Sequence, residues 1–419
     1  MPQNTPKRIT DRKYASLLVL MCAIVYFTSY LTRVNYKAVI SEVVKSEGIT
    51  NSMASVALTG LFITYGLGQL ISGWLGDRIK PRYIMTVGMI IASSMNILLP
   101  LKTDPVYMTA VWCVNGLGQA MMWPPIVKIL TNHLTNEQYL DATVRVSSGS
   151  AVGSIAVYLL APPLISLSGW RSVFYVCAAL GLCGTVLIFF GLRFIERYAE
   201  KYGETPKEES IPTHEKGAAD HLSLPRYFPI LFGMILLVIV LQGMLRDGID
   251  TWMPTFMADH FDMSEAKSIL TAVVLPIFAL VSYQAAKVVH NRLFKNELIC
   301  SAAIFGFGAV SLLVLAFAAN VSPVLSVVCF MLITGAMHGV NLVLTAFVPR
   351  RFKKYGNIST VSGTLNFATY VGSAVSTYGF ARLIDGFGWT QTIAAWIIIC
   401  SLGVLCCVSI AGLWKKFTE

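Results

Sequence analysis

Long apolar stretches alternate with short polar ones along this chain, and the apolar stretches carry the first conclusion. Twelve occur, at about 16–40, 52–76, 83–101, 106–130, 142–166, 172–194, 227–257, 266–289, 297–319, 323–347, 358–382 and 390–414. A helix rising 1.5 Å per residue needs roughly 20 residues to cross a hydrocarbon layer of ~30 Å, which each run supplies or nearly supplies. The short alternating segments of a membrane β-barrel are missing. The pattern therefore predicts an all-α polytopic membrane protein with twelve transmembrane helices. The first run is too long for a signal-peptide core and no small-residue cleavage site follows it, so it is expected to remain as a helix.

One polar interval is long. Residues 195–226 include KYGETPKEESIPTHEKGAADH, rich in Glu, Lys and Pro, and this reads as a flexible linker. It separates residues 1–194 from 227–419, six predicted spans on each side. A repeat supports two six-helix halves. Val152-Gly153-Ser154 recurs as Val371-Gly372-Ser373, and Gly169-Trp170 as Gly388-Trp389, both 219 residues further on. That offset aligns the fifth span with the eleventh.

Composition agrees. Of 419 residues, 55% are hydrophobic and 13% charged, where a soluble protein carries about 25% charged residues; mean hydropathy is +0.65. The formal charge of +10 would point to nucleic acid on a soluble domain. Here the cations collect in alternate polar intervals: Lys7, Arg8, Arg12 and Lys13; Arg78, Lys80 and Arg82; Arg292 and Lys295; Arg350, Arg351, Lys353 and Lys354; Lys415 and Lys416. That is a topology signal, placing both termini and the linker on the cytoplasmic side of a cell inner (plasma) membrane, with no nucleic-acid partner expected. The nine cysteines all fall in apolar runs without metal-ligand spacing. No P-loop or nucleophile motif is present on a soluble domain, so an enzyme is not expected, nor a cofactor or metal.

The chemistry lies in charged residues within the apolar runs. YLTRVNYKAVI (30–40) places Arg33 and Lys37 on one helix face. MLRDGIDTWMPTF (244–256) places Arg246 well inside the seventh span. A cation at the bilayer centre costs roughly 2.5–3.5 kcal/mol on insertion scales, and such residues mark ligand sites or pathways. A guanidinium fork matches two oxygens of an oxyanion better than an ammonium does. Two arginines facing one cavity repel each other unless an anion lies between them.

GWLGDRIKPR (73–82) resembles the signature loop of the major facilitator superfamily. The resemblance makes Gly73, Gly76, Asp77 and Arg78 candidates for a conformational switch, with Asp77 set against the positive N-terminus of a neighbouring helix. GLGQAMMWPPIVK (116–128) resembles the fourth helix of the organophosphate:phosphate antiporter family, which includes the bacterial glycerol-3-phosphate and hexose-phosphate transporters. Its two prolines are expected to bend the helix. YLTRVNY and MLRDGIDTWMPTF resemble that family's first and seventh helices. The resemblance implies the major facilitator fold. It also implies that Arg33 and Arg246, one from each half, hold the phosphate of a small metabolite exchanged for inorganic phosphate by alternating access.

Two departures limit the transfer of a substrate. Gln69 stands where relatives commonly have a lysine in helix 2. Ser150 stands where the glycerol-phosphate branch has a histidine in helix 5. Lys37 is a candidate to restore the lost cation. Asp250, one turn beyond Arg246, is expected to neutralise it, while Asp247 is rotated about 100° away. Tyr30, Tyr36, Tyr65, Gln119, Asn341 and Asn366 are candidate neutral donors to the cavity, and His338 reads as a hydrogen-bonded packing residue. Two alternatives stay open: a proton-coupled symporter of a sugar acid or other organic anion, and a transporter-like membrane sensor of a sugar phosphate. The expected partners are a small anionic substrate, inorganic phosphate and the lipid bilayer, with the chain acting as a monomer.

Overall fold

Helix α1 shows how the ends of the apolar runs are set. It spans Arg12–Glu47, opened by the Asp11 side chain accepting from the Lys13 backbone N–H and stopped by Gly48 at φ 65°. The polar residues at both ends extend it beyond the predicted 16–40. In the computed structural model, which describes residues 7–204, 225–318, 321–355 and 358–418, the remaining helices follow in order. They are α2 (Asn51–Arg78), α3 (Pro81–Leu98), α4 (Pro105–Ala120), α5 (Trp123–His133), α6 (Asn136–Ser168) and α7 (Arg171–Tyr202). The second set is α8 (Phe228–Phe261), α9 (Glu265–Thr271), α10 (Val274–Arg292), α11 (Glu297–Ala318), α12 (Pro323–Leu342), α13 (Ile358–Phe387) and α14 (Trp389–Thr418). Most of the expected linker, residues 205–224, lies outside the described residues.

Two of the predicted spans are broken. The fourth is α4 and α5, separated at Met121–Met122, where each backbone N–H reaches back only three residues, to Gly118 and Gln119, at 3.2 Å. Pro124 and Pro125 follow without donors, so the helix restarts at Trp123. The eighth is α9 and α10, parted at Ala272–Val273 just before Pro276. α12 loosens into a π segment over Val343–Phe347 and then a 3-10 segment over Val348–Tyr355. Joined across their breaks, the described helices make the twelve rods of the pattern. Among the described residues, nine helices are long and apolar enough to cross a membrane on length and composition alone. Large apolar side chains cover the outer surface, Phe190, Phe317 and Leu405 among them, as contact with lipid rather than water requires.

The repeated motifs do the same structural work twice. A Cβ on Gly153 in α6 would sit 2.8 Å from the Phe27 carbonyl oxygen of α1, and one on Gly372 in α13 would overlap the Val240 carbonyl of α8. Each glycine therefore lets its helix lie directly on the first helix of its half. Gly169 and Gly388 both hold a positive φ, 74° and 81°, that L side chains rarely adopt. The tryptophan after each donates to a carboxylate at the end of that same first helix: Trp170 to Glu47 at 3.0 Å, Trp389 to Asp259 at 3.2 Å.

The chain termini share a face. Arg8 and Glu204 exchange backbone hydrogen bonds at 2.9 and 3.0 Å, and Ile9 N–H donates to the His133 carbonyl at 2.8 Å, tying the N-terminal segment to the ends of α5 and α7. Phe417 at the end of α14 packs on Phe228 at the start of α8, 5.7 Å between ring centres.

Candidate functional site

A cavity of about 1350 Å³ runs between the halves. It opens on the face that bears the termini, where Asp141, Lys287, His290, Glu297 and Arg351 line its mouth. The opposite face is sealed by bonds between halves. Asp385 near the end of α13 accepts from the backbone N–H groups of Asn51 (3.2 Å) and Ser52 (2.8 Å), capping α2 from across the interface. Thr59 donates to the Ala374 carbonyl at 3.3 Å, and Lys45 meets Glu265 at 3.7 Å. Deeper in, Lys37 of α1 forms a salt bridge with Asp250 of α8.

The α1 face of the cavity is one stripe. Tyr26, Tyr30, Arg33 and Lys37 are spaced four, three and four apart in sequence and all line the chamber. The back of α1 is held by buried amides. Asn35 donates to Asn96 at 2.5 Å, Asn96 and Asn115 donate to the Thr32 carbonyl at 2.8 and 3.1 Å, and Gln119 donates to the Thr32 hydroxyl at 2.9 Å. This network ties α1 to α3 and α4 and fixes the direction in which Arg33 projects. A shorter version holds α8 to α12: Gln242 donates to the Met337 carbonyl at 2.9 Å and Asn341 to Gln242 at 3.2 Å.

Arg33 is sheathed by aromatic rings. Its guanidinium carbon lies 4.0 Å from the centre of the Tyr65 ring, 5.5 Å from Tyr30 and 5.8 Å from Tyr370. The ring faces attract the cation, and the Arg33 side chain lines the cavity. Among the described residues no carboxylate pairs with it. Arg246 is held differently: Nε donates to Asp247 Oδ1 at 3.0 Å and Nη2 to Oδ2 at 2.7 Å. Ser373 of α13 donates to the same carboxylate at 2.5 Å.

Several expectations are corrected by these contacts. Asp250 does not neutralise Arg246; it is drawn across the interface to Lys37, and the flexible Arg246 stem swings its fork to the neighbouring Asp247. Tyr36 is buried outside the chamber, its hydroxyl donating to the Ala54 carbonyl at 2.7 Å and its ring 5.5 Å from Trp112. At 100° per residue it stands about 90° off the stripe, so α1 turns it into the core of its own half. Gln119 is buried behind α1, in the network that positions Arg33.

Tyr30, Arg33, Lys37, Tyr65, Arg246, Asp250, Asn341 and Asn366 do line the cavity. So does His338, which shares a 3.1 Å hydrogen bond with Tyr283. Ser150 and Gln69 line it too, Gln69 accepting from Asn366 at 3.4 Å. Gly73, Gly76 and Asp77 belong to the last turns of α2, with the Asp77 side chain outside the described residues, and Arg78 ends that helix. Sequence reasoning missed Tyr26, Trp123, Tyr283 and Tyr370 as lining residues and underweighted Asp247. Extending the Arg33–Tyr30 stripe by one turn would have found Tyr26. Trp123, Tyr283 and Tyr370 reach the chamber from α5, α10 and α13, and no charged residue stands within one turn of Trp123 or Tyr370 on the same face to single them out.

A two-part helical bundle with a charged chamber between its halves, open at one face and sealed at the other, defines the class: a polytopic membrane carrier fold rather than an enzyme. The sequence model of the Major Facilitator Superfamily matches residues 22–377, and the chain belongs to that family. Among its relatives is the probable hexose phosphate transport protein of Chlamydia trachomatis, 22% identical over 90% of this chain and 86% of that protein. The membrane sensor protein UhpC of Escherichia coli is 22% identical over 93% of this chain and 91% of its own length. In fold, the chain matches a bacterial homolog of the human lysosomal transporter Spinster, in an inward-facing and unoccupied conformation. The TM-score is 0.77 at 13% identity, covering 97% of this chain and 99% of that one. The hexose phosphate relative and UhpC agree with the resemblance drawn from the helix 1, 4 and 7 motifs.

Proposed function

We propose that this protein is a secondary carrier of a phosphorylated small metabolite, of the sugar phosphate or glycerol phosphate class, exchanged for inorganic phosphate. It works as a monomer in the cell inner membrane with both termini in the cytoplasm. The observation that carries this reading is that Arg33 and Arg246, from the equivalent first helices of the two halves, line one chamber. The phosphorylated class follows from the hexose phosphate relative together with a guanidinium aimed into a tyrosine-lined cavity.

The chamber opens on the terminus face, so in this orientation the site faces the cytoplasm. Access from the other side requires the Lys37–Asp250 pair and the Asp385 cap on α2 to break while the mouth closes. An anion on Arg33 removes the electrostatic cost of bringing that cation into a closed, dry chamber; the empty carrier lacks this compensation and returns slowly. Slow empty return makes exchange obligatory.

Proteoliposomes loaded with phosphate test the proposal. Uptake of a labelled hexose phosphate that depends on internal phosphate, and not on a pH gradient, supports it. Uptake that needs only a pH gradient overturns it in favour of proton symport. The sensor relative favours a second reading, recognition without transport: saturable binding with no exchange under any gradient would establish that reading instead.

A further inference from the structure

Two arginines and a lysine line the middle of the cavity, but only one of these cations is available. Arg246 is engaged through two hydrogen bonds by Asp247, and Asp247 is in turn fixed by Ser373 of α13, so the carboxylate is gripped from two helices. Lys37 is engaged by Asp250. Arg33 has aromatic faces around it and no carboxylate partner among the described residues. At the mouth, Lys287 and Arg351 are matched in number by Asp141 and Glu297. Among the described residues, the lining carries a single net positive charge when its histidines are neutral.

We propose that Asp247 sets the charge of the cargo: the closed carrier accommodates anions bearing one net negative charge. A phosphate monoester would enter as its singly protonated form, and a sugar carboxylate would fit the same rule. This rests on the anion-carrier reading above and deepens it. A chamber that must shed water to change sides penalises any uncompensated charge. A monoanion cancels the charge of Arg33. A dianion leaves one negative charge over, unless it strips Arg246 from a carboxylate that two helices hold.

The other groups that face Asp247 do not upset this count. Lys37 and Asp250 belong to the neighbouring pair, while Tyr283, Tyr370 and His338 approach the Arg246–Asp247 pair from α10, α13 and α12. His338 shares a hydrogen bond with Tyr283 and has no carboxylate pair among the described residues.

The test is binding by purified full-length protein, measured by calorimetry at pH 5.5 and 7.5 with three probes. These are glycerol 3-phosphate, sulfate (two charges at both pH values) and gluconate (one charge at both). For a monoester with a second pKa of about 6, the singly charged fraction falls about 25-fold between these pH values. The wild type is expected to bind glycerol 3-phosphate about 25-fold more weakly at pH 7.5 and not to retain sulfate. Asp247→Asn, which frees the Arg246 fork, is expected to bind sulfate and to lose the pH 7.5 penalty. Sulfate binding by the wild type as tight as glycerol 3-phosphate at pH 5.5, or an equal affinity for glycerol 3-phosphate at both pH values, overturns the charge rule and leaves the phosphate reading standing. Gluconate binding without glycerol 3-phosphate binding leaves the charge rule and overturns the phosphate reading. Binding of none of the three overturns both. The wild-type measurements decide the matter even if the variant fails to fold.

Discussion

The two halves of this protein are built on one plan and equipped differently at the matching point. In both, a glycine brings the fifth helix onto the first, a glycine with positive φ precedes the sixth, and its neighbouring tryptophan bonds a carboxylate at the end of the first. In both, buried amides tie the first helix to the fourth. Yet Arg33 is surrounded by tyrosine rings and open to the chamber, while Arg246 is locked by Asp247. The scaffold is a matter of close helix packing, which tolerates few alternatives. The chamber is a matter of charge, and one carboxylate is enough to give two equivalent guanidinium groups different surroundings.

Substituting the two arginines separates these roles most sharply. Arg33→Ala is expected to cost roughly 3–5 kcal/mol in ligand binding, a loss of at least about 100-fold, with an unchanged melting temperature in the absence of ligand. Arg246→Ala orphans a buried carboxylate and is expected to destabilise the empty protein by a similar 3–5 kcal/mol, with recovery in the Arg246→Ala/Asp247→Ala double variant. Melting curves in detergent check this; equal loss of apo stability in the two single variants would erase the proposed asymmetry.

The interface offers the next contrast. Asp250→Asn removes the partner of Lys37 and is expected to take about 2 kcal/mol from the preference for the sealed far face. In a cysteine-depleted background, a cysteine at Ser154 in the cavity lining should then react severalfold faster with an impermeant thiol reagent added from the side opposite the termini. Unchanged reactivity would show that the pair does not hold that face.

These variants also mark what was legible beforehand. The twelve spans, the repeat and the two arginines could be read from the sequence because hydropathy and buried charge are visible one residue at a time. The pairing of charges could not. Helical geometry favours Asp250 as the partner of Arg246, and only the approach of α1 from the other half, carrying Lys37, reverses the choice. Tyr36 and Gln119 were misplaced for a related reason. A polar side chain in an apolar helix can face a chamber or a neighbouring helix, and the sequence does not say which. The breaks in the fourth and eighth rods differ in the same way. The Trp-Pro-Pro of α5 announced its own break, whereas the tight turn before Pro276 did not stand out from an apolar run.

Smaller effects sharpen the division between scaffold and site. Gln119→Leu, which unties the back of α1, is expected to lower stability by about 1–3 kcal/mol in thermal melts without altering the preference among anions. A changed preference would return Gln119 to the binding site. Lys45→Ala, at a pair 3.7 Å long whose ammonium end is exposed to solvent, is expected to change stability by about 1 kcal/mol or less.

The central claim is that an anion is carried on the open guanidinium of the first half. Counterflow of labelled phosphate in reconstituted vesicles tests it most directly, comparing wild type with Arg33→Lys, which keeps the charge and removes the fork. The expected result is robust exchange by the wild type and at least a tenfold loss in the variant. Exchange by Arg33→Lys at the wild-type rate would contradict it.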